Sequence, residues 1–192
     1  MIDRALSIIV NRLNQHLATP ETAPEDAAVL MDLAASSGPA PEAQDKIVVF
    51  ITNITEDTLA RSTSRAPGID MHTQMQRPLN LHIHFVVAAN FEPAKYVRAL
   101  NALSRAVQFF QAYPVFDRSN SPDMANSGID RLSIEMESLG GDSVSQLWGV
   151  HGGRYLPSVV YRARTLSIDT QSVLDKVPAI GGLQTDTMVR KS

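Results

Sequence analysis

The chain contains no cysteine. Disulfides, thiol catalysis and zinc–thiolate sites are therefore excluded, and a reducing compartment fits. Positive charge is not in excess: the formal net charge of −3 provides no field for general nucleic-acid binding. Long apolar runs are missing as well. The longest reach five residues, as at 85–89, far below the roughly 20 residues a membrane-spanning helix needs. The N-terminal Met-Ile-Asp-Arg-Ala-Leu lacks the charged region, apolar run and cleavage site of a secretory signal, so synthesis and folding in the cytoplasm are expected. Neither an internal repeat nor a low-complexity tract is visible.

What is present is 192 residues, 44% hydrophobic and 19% charged. That length and composition suit one soluble globular domain with a sizeable core, and are short for two. The chain is organised around residues 78–116. Leu79, Leu81, Ile83, Phe85 and Val87 alternate with Asn80, His82, His84 and Val86, a period of two that predicts a strand with one buried face. A turn at Asn90 leads to Glu92-Pro93, which suits the first turn of a helix. Tyr96, Val97, Leu100, Leu103, Ala106, Val107 and Phe110 then form an apolar stripe at helical spacing. Tyr113-Pro114 ends the helix, because the residue before a proline is pushed out of helical geometry.

A first helix follows from Ile2, Leu6, Ile9, Val10, Leu13 and Leu17, and must end by Thr19-Pro20. Residues 20–41 hold four of the eleven prolines and are expected to be a loop, with room for a turn of helix or a strand at 27–35. Residues 46–55 are rich in β-branched side chains and predict a buried strand. Residues 56–77 are polar and without period, a long excursion of the kind that either serves a purpose or is disordered, and the first candidate for a partner-binding arm. A polar stretch at 117–128 precedes a half-buried strand with Leu132, Ile134 and Met136 on one side. Asp142 or Ser143 can cap a short helix carrying Val144, Leu147 and Trp148, which Gly149, Gly152 and Gly153 end. Residues 157–168 give the last strand. The expected fold is α+β: a mostly antiparallel sheet of four to five strands with two long helices packed on one face. One domain spans 1–170, and 171–192 form a C-terminal tail.

Chemistry is sparse. His82 and His84 share a strand face and could meet one metal ion, but no third ligand stands near them in sequence, and two outward-facing histidines are the simpler reading. Glu135 and Glu137 likewise share a face and could serve acid–base chemistry, although a solvated or intersubunit face fits better. None of the three Gly-Gly pairs sits in a phosphate loop, and no Gly-x-Ser-x-Gly elbow occurs. Trp148 fits a core role. Asn53-Ile54-Thr55 matches a glycosylation triplet, which means little on a buried strand. No enzyme, cofactor or metal is expected. Arg162 and Arg164 alternate with apolar residues on the last strand, either as an ordinary exposed face or as partners for the carboxylates of Glu135 and Glu137 across a subunit boundary.

Three pieces together carry a resemblance: the Met-Ile-Asp-Arg-Ala-Leu helix; the unit Leu-Asn-Leu-His-Ile-His-Phe-Val-Val-Ala-Ala-Asn-Phe with its following helix and Pro-Val-Phe; and Leu147-Trp148 with Tyr155-Leu-Pro-Ser-Val-Val-Tyr161. In order and spacing they resemble the cap, or tail-terminator, proteins of extracellular contractile injection systems of the antifeeding-prophage and virulence-cassette type. The likeness covers most of residues 1–170 and omits 56–77 and the tail. It implies a phage tail-terminator-like fold without catalysis, and a homohexameric ring on the baseplate-distal end. Such a ring binds the inner tube and the last sheath layer, stops polymerisation and fixes length. It implies no nucleic-acid or membrane partner, and assembly in the cytoplasm into a particle that can be released. Glu135, Glu137, Arg162 and Arg164 are then candidates for subunit contacts, and Arg61, Arg65 and Arg77 for tube or sheath contacts. Competing expectations are a head-completion or neck adaptor of a contractile-tailed phage, a metal-dependent enzyme using His82 and His84, and a small monomeric binding domain.

Overall fold

A computed structural model of the chain describes residues 2–18, 27–33, 41–57, 80–151 and 154–168. Within these, the elements are α1 (Ile2–Leu17), β1 (Ala28–Leu30), β2 (Lys46–Glu56), β3 (Leu81–Asn90), α2 (Tyr96–Ala112), β4 (Val115–Asp117), β5 (Ile129–Glu137), α3 (Gly141–Val150) and β6 (Ser158–Ile168). The strands form one six-stranded sheet in the order β1-β2-β3-β6-β5-β4. All neighbours are antiparallel except β1, which runs parallel to β2. The α+β class and the long helices on one face agree with the sequence. The sheet has six strands rather than four to five, because two short edge strands lie in stretches with too few residues to show a period. β1 falls inside 27–35, and β4 is the Pro-Val-Phe segment after α2.

α1 and α2 lie on one face. Leu6, Ile9 and Leu13 from α1, and Ala106, Phe109 and Phe110 from α2, pack on Ile47, Val49, Ile83, Phe85, Val87 and Tyr161 of the sheet. Arg105 of α2 donates to the carbonyls of His16 and Leu17 at 3.2 and 3.1 Å, placing a cation where the α1 dipole ends negative. At the other end of α2, Lys95 forms an ion pair with Asp45 at 2.5 Å, tying the start of β2 to the start of the helix. Asp45 itself has φ +58°, a left-handed conformation that Asp tolerates better than most residues.

The opposite face is not bare. α3 covers one half of it, with Trp148 and Leu156 set against Val48, Phe50, Val86, Ala88 and Val160. Trp148 is core, as expected. Four local expectations are corrected. The α3 N-cap is Gly140, with no side-chain cap hydrogen bond, instead of Asp142 or Ser143; Gly149 lies inside α3, which runs on to Val150. The stripe on α2 is rotated: Ala99, Ala106, Phe109 and Phe110 are buried, while Tyr96, Leu100 and especially Val97, at 79% exposure, face solvent. Among the described residues, α1 meets α2 at Arg105 and Phe109, in the C-terminal half of the helix. Finally, the second half of β2, from Thr52, is exposed, so the Asn53-Ile54-Thr55 triplet is not on a buried strand.

Tyr161 is stacked on Phe85 at 5.7 Å and meets Phe110 at 4.5 Å, and its buried hydroxyl has no hydrogen-bond partner among the described residues. Burial pushes its pKa up to about 12. The neutral phenol is therefore favoured in the fold. The unfolded chain ionises near the ordinary value of 10, so this contribution is complete below pH 10 and lost as pH rises toward 12. Tyr161→Phe is expected to gain up to about 1 kcal/mol at neutral pH by removing an unmet polar group. The variant should also lose less stability than the parent between pH 10 and 12, as read by urea denaturation at each pH.

Candidate functional site

On the face shared with α3, the half that the helix leaves open is a ladder of charge. Cross-strand register places Asn53, His84, Arg162 and Glu135 in one row, and Thr55, His82, Arg164 and Ser133 in the next. Each strand has period two, so residues two apart project from the same side. The row under α3, Phe50–Val86–Val160–Glu137, is apolar except at its β5 end. The site thus begins where the hydrophobic cover stops.

Two knots hold the ladder. In the first, Arg162 donates to Glu135 at 2.6 Å and approaches Glu137 at 3.6 Å, and Glu137 also meets His84 Nδ1 at 2.8 Å. A carboxylate only accepts, so His84 carries its hydrogen on Nδ1. Its Nε2 stands 3.4 Å from the Thr55 hydroxyl. In the second knot, Asp57 is buried at the end of β2 and takes the Nε–H of Arg164 at 2.5 Å, with His82 Nε2 at 3.5 Å. The hydrogen bond from Arg162 holds the Glu135 carboxyl below its ordinary range, and Glu135 in turn raises Arg162. The exposed Glu135–Arg162 pair contributes little to stability, about 0–1 kcal/mol; the value of the ladder is a fixed pattern of charge on a rigid sheet.

The structure therefore brings Glu135, Glu137, Arg162 and Arg164 onto one open surface, together with His82 and His84. The Glu135–Arg162 contact anticipated between subunits also forms within the chain. His82 and His84 stand with ring centroids 6.5 Å apart at 78°, each turned to its own carboxylate. Among the described residues, no group of three or more His, Cys, Asp or Glu side chains is placed to hold a metal ion. Among the same residues, no helix is long and apolar enough to cross a membrane. Arg61, Arg65 and Arg77, most of the 56–77 excursion and the tail lie outside the described residues.

Sequence reasoning missed Asp57, which has no periodic signal because it follows the last strand residue at the mouth of the polar excursion. It also missed Asn14, the one polar residue among the buried positions of α1, which an interruption of the apolar stripe could have flagged.

The sequence profile of the family described as Pvc16 N-terminal domain matches residues 5–181. A search of curated proteins gave no match. Among solved structures, the fold is similar to a sheath/tube terminator of the extracellular contractile injection system PVC in its extended state. That likeness has a TM-score of 0.53 and 17% identity, over 100% of this chain and 65% of that one. It is similar also to the tube-terminating cap of the anti-feeding prophage, with TM-score 0.53 and 17% identity, over 97% of this chain and 61% of that one. The chain thus spans somewhat under two thirds of the length of either structure.

Proposed function

The chain belongs to the Pvc16 N-terminal domain family, and from that premise we propose that it is a terminator, or cap, of a contractile injection system. The observation that carries the reading is the family match over residues 5–181, on a fold similar to that of a sheath/tube terminator and a tube-terminating cap. In this reading the protein is structural and performs no catalysis. Six copies close a ring at the baseplate-distal end, bind the last layer of inner tube and sheath, stop polymerisation and so fix length. The ring is assembled in the cytoplasm and leaves with the particle, without nucleic-acid or membrane contacts.

Two surfaces support ring closure. A cyclic ring of more than two subunits requires each copy to present two unlike, complementary faces. One side of the sheet offers the charged ladder of Glu135, Glu137, Arg162 and Arg164; the other offers the exposed apolar start of α2, with Tyr96, Val97 and Leu100. We place the ladder at the subunit boundary, and Arg61, Arg65 and Arg77 toward tube and sheath.

Light scattering at rising concentration, alone and with short inner tubes, tests this reading. The expected result is a species of about six times the 20.9 kDa chain, formed in solution or on tube ends, and imaged as a ring. Arg162→Glu, which reverses the ladder, should keep the monomer fold and lose the ring. A chain that stays monomeric and ignores tube and sheath at every concentration overturns the assignment.

A further inference from the structure

The two edge strands are much shorter than the strands they cover. β1 pairs only with Ile47, Val48 and Val49 of an eleven-residue β2. Its own outer side is closed by the Asn14 side chain, which donates to the Ala28 carbonyl and accepts the Ala28 N–H. On the far edge, the Pro114 carbonyl extends the cover of β5 by accepting the Ile134 N–H at 2.7 Å. From Ile51 to Thr55, by contrast, no described strand lies along the outer side of β2. Four of these five residues are β-branched, and none is Lys or Pro, the residues with which edges are commonly blunted.

The backbone here is set apart from the rest of β2. A register shift lies between Ile51 and Asn53, and the Thr52 hydroxyl donates to the His84 carbonyl at 3.3 Å. Past this bulge, the Ile54 N–H is taken by the side-chain oxygen of Asn53 at 2.9 Å. That is a local, exposed bond, which an incoming carbonyl can replace.

We propose that the outer edge of β2 at Ile51–Thr55 accepts an extended segment of the inner-tube subunit by strand addition. A row of backbone donors and acceptors matches only another extended chain, which settles the form of the occupant. The tube is its source because both solved structures similar to this chain terminate a tube, while a sheath is named for one of them. The inference rests on the terminator reading and adds its contact surface.

Amide hydrogen exchange on the full chain, alone and bound to purified tubes, tests it. Ile54→Pro, which removes an N–H that the β3 ladder does not use, and Ile54→Val serve as variants in a tube-binding assay. Binding is expected to slow exchange at Ile54 by about tenfold or more. Ile54→Pro should weaken tube binding by about tenfold, and Ile54→Val should leave it unchanged. Should Ile54→Pro fail to fold, the exchange result on the parent chain decides alone. Tube binding without protection of Ile54, or with undiminished affinity in a folded Ile54→Pro, overturns strand addition and leaves the terminator reading standing. Protection by purified sheath subunit but not by tube overturns the choice of occupant. A parent chain that binds no tube overturns both readings together.

Discussion

Phe109→Ala is expected to cost the fold about 3–5 kcal/mol, the range for truncating a buried aromatic whose site cannot collapse. Phe109 is buried where α1, α2 and β4 meet, with ring centroids 5.1 Å from Phe110, 5.4 Å from His16, 5.5 Å from Tyr113 and 6.0 Å from Phe116. Those partners sit on three different elements, so no single rotamer change fills the space left behind. On the same helix, Val97 is 79% exposed, and Val97→Ala is expected to change stability by less than about 0.5 kcal/mol, as for ordinary surface substitutions. Urea denaturation of both variants gives the comparison. Equal losses would show that the buried face of α2 has been assigned to the wrong side.

The second large effect concerns a hydrogen bond rather than volume. Asn14→Leu is expected to destabilise the protein by about 2–4 kcal/mol, although leucine is the better helix former and the site is apolar. Asn14 is buried and acts as a short strand: its amide donates to the Ala28 carbonyl at 2.9 Å, and its oxygen accepts the Ala28 N–H at 2.7 Å. Leucine leaves both backbone groups of Ala28 buried without partners, each at a cost of about 1–3 kcal/mol. Part of that loss is regained through better apolar packing. The check is denaturation together with amide exchange in β1. A loss below about 0.5 kcal/mol, with Ala28 still protected, would mean that water satisfies this edge unaided.

These two residues mark how far the sequence could be read. α1, β3, β5 and β6 are long enough for hydrophobic period to place them within a residue or two. The proline rule stopped α2 at Ala112 as expected, but its start, expected at Glu92-Pro93, is a 3-10 turn over Pro93–Lys95 and the α-helix begins only at Tyr96. β1 and β4, at three residues each, carry no measurable period; they are strands only because β2 and β5 offer them a ladder. The ladder of Glu135, Glu137, Arg162 and Arg164 was visible as residues sharing strand faces. Their meeting within the chain follows from β6 lying between β3 and β5, and no local signal encodes that order. Asp57 escaped notice for the same reason: the His82 and Arg164 side chains it meets are 25 and 107 residues away along the chain.

By itself, then, the sequence determined the α+β class, the length and face of most elements, the lack of thiol chemistry and the family resemblance. All of these depend on residue type and local spacing. Only the tertiary structure decided which half of α2 is covered, that the second face of the sheet is shared between α3 and a charged ladder, and that β2 outruns its edge partner. Burial and pairing depend on which distant segments come to lie alongside. A period along one helix or strand states that a face is to be buried, and the packing of the other elements sets how much of it is.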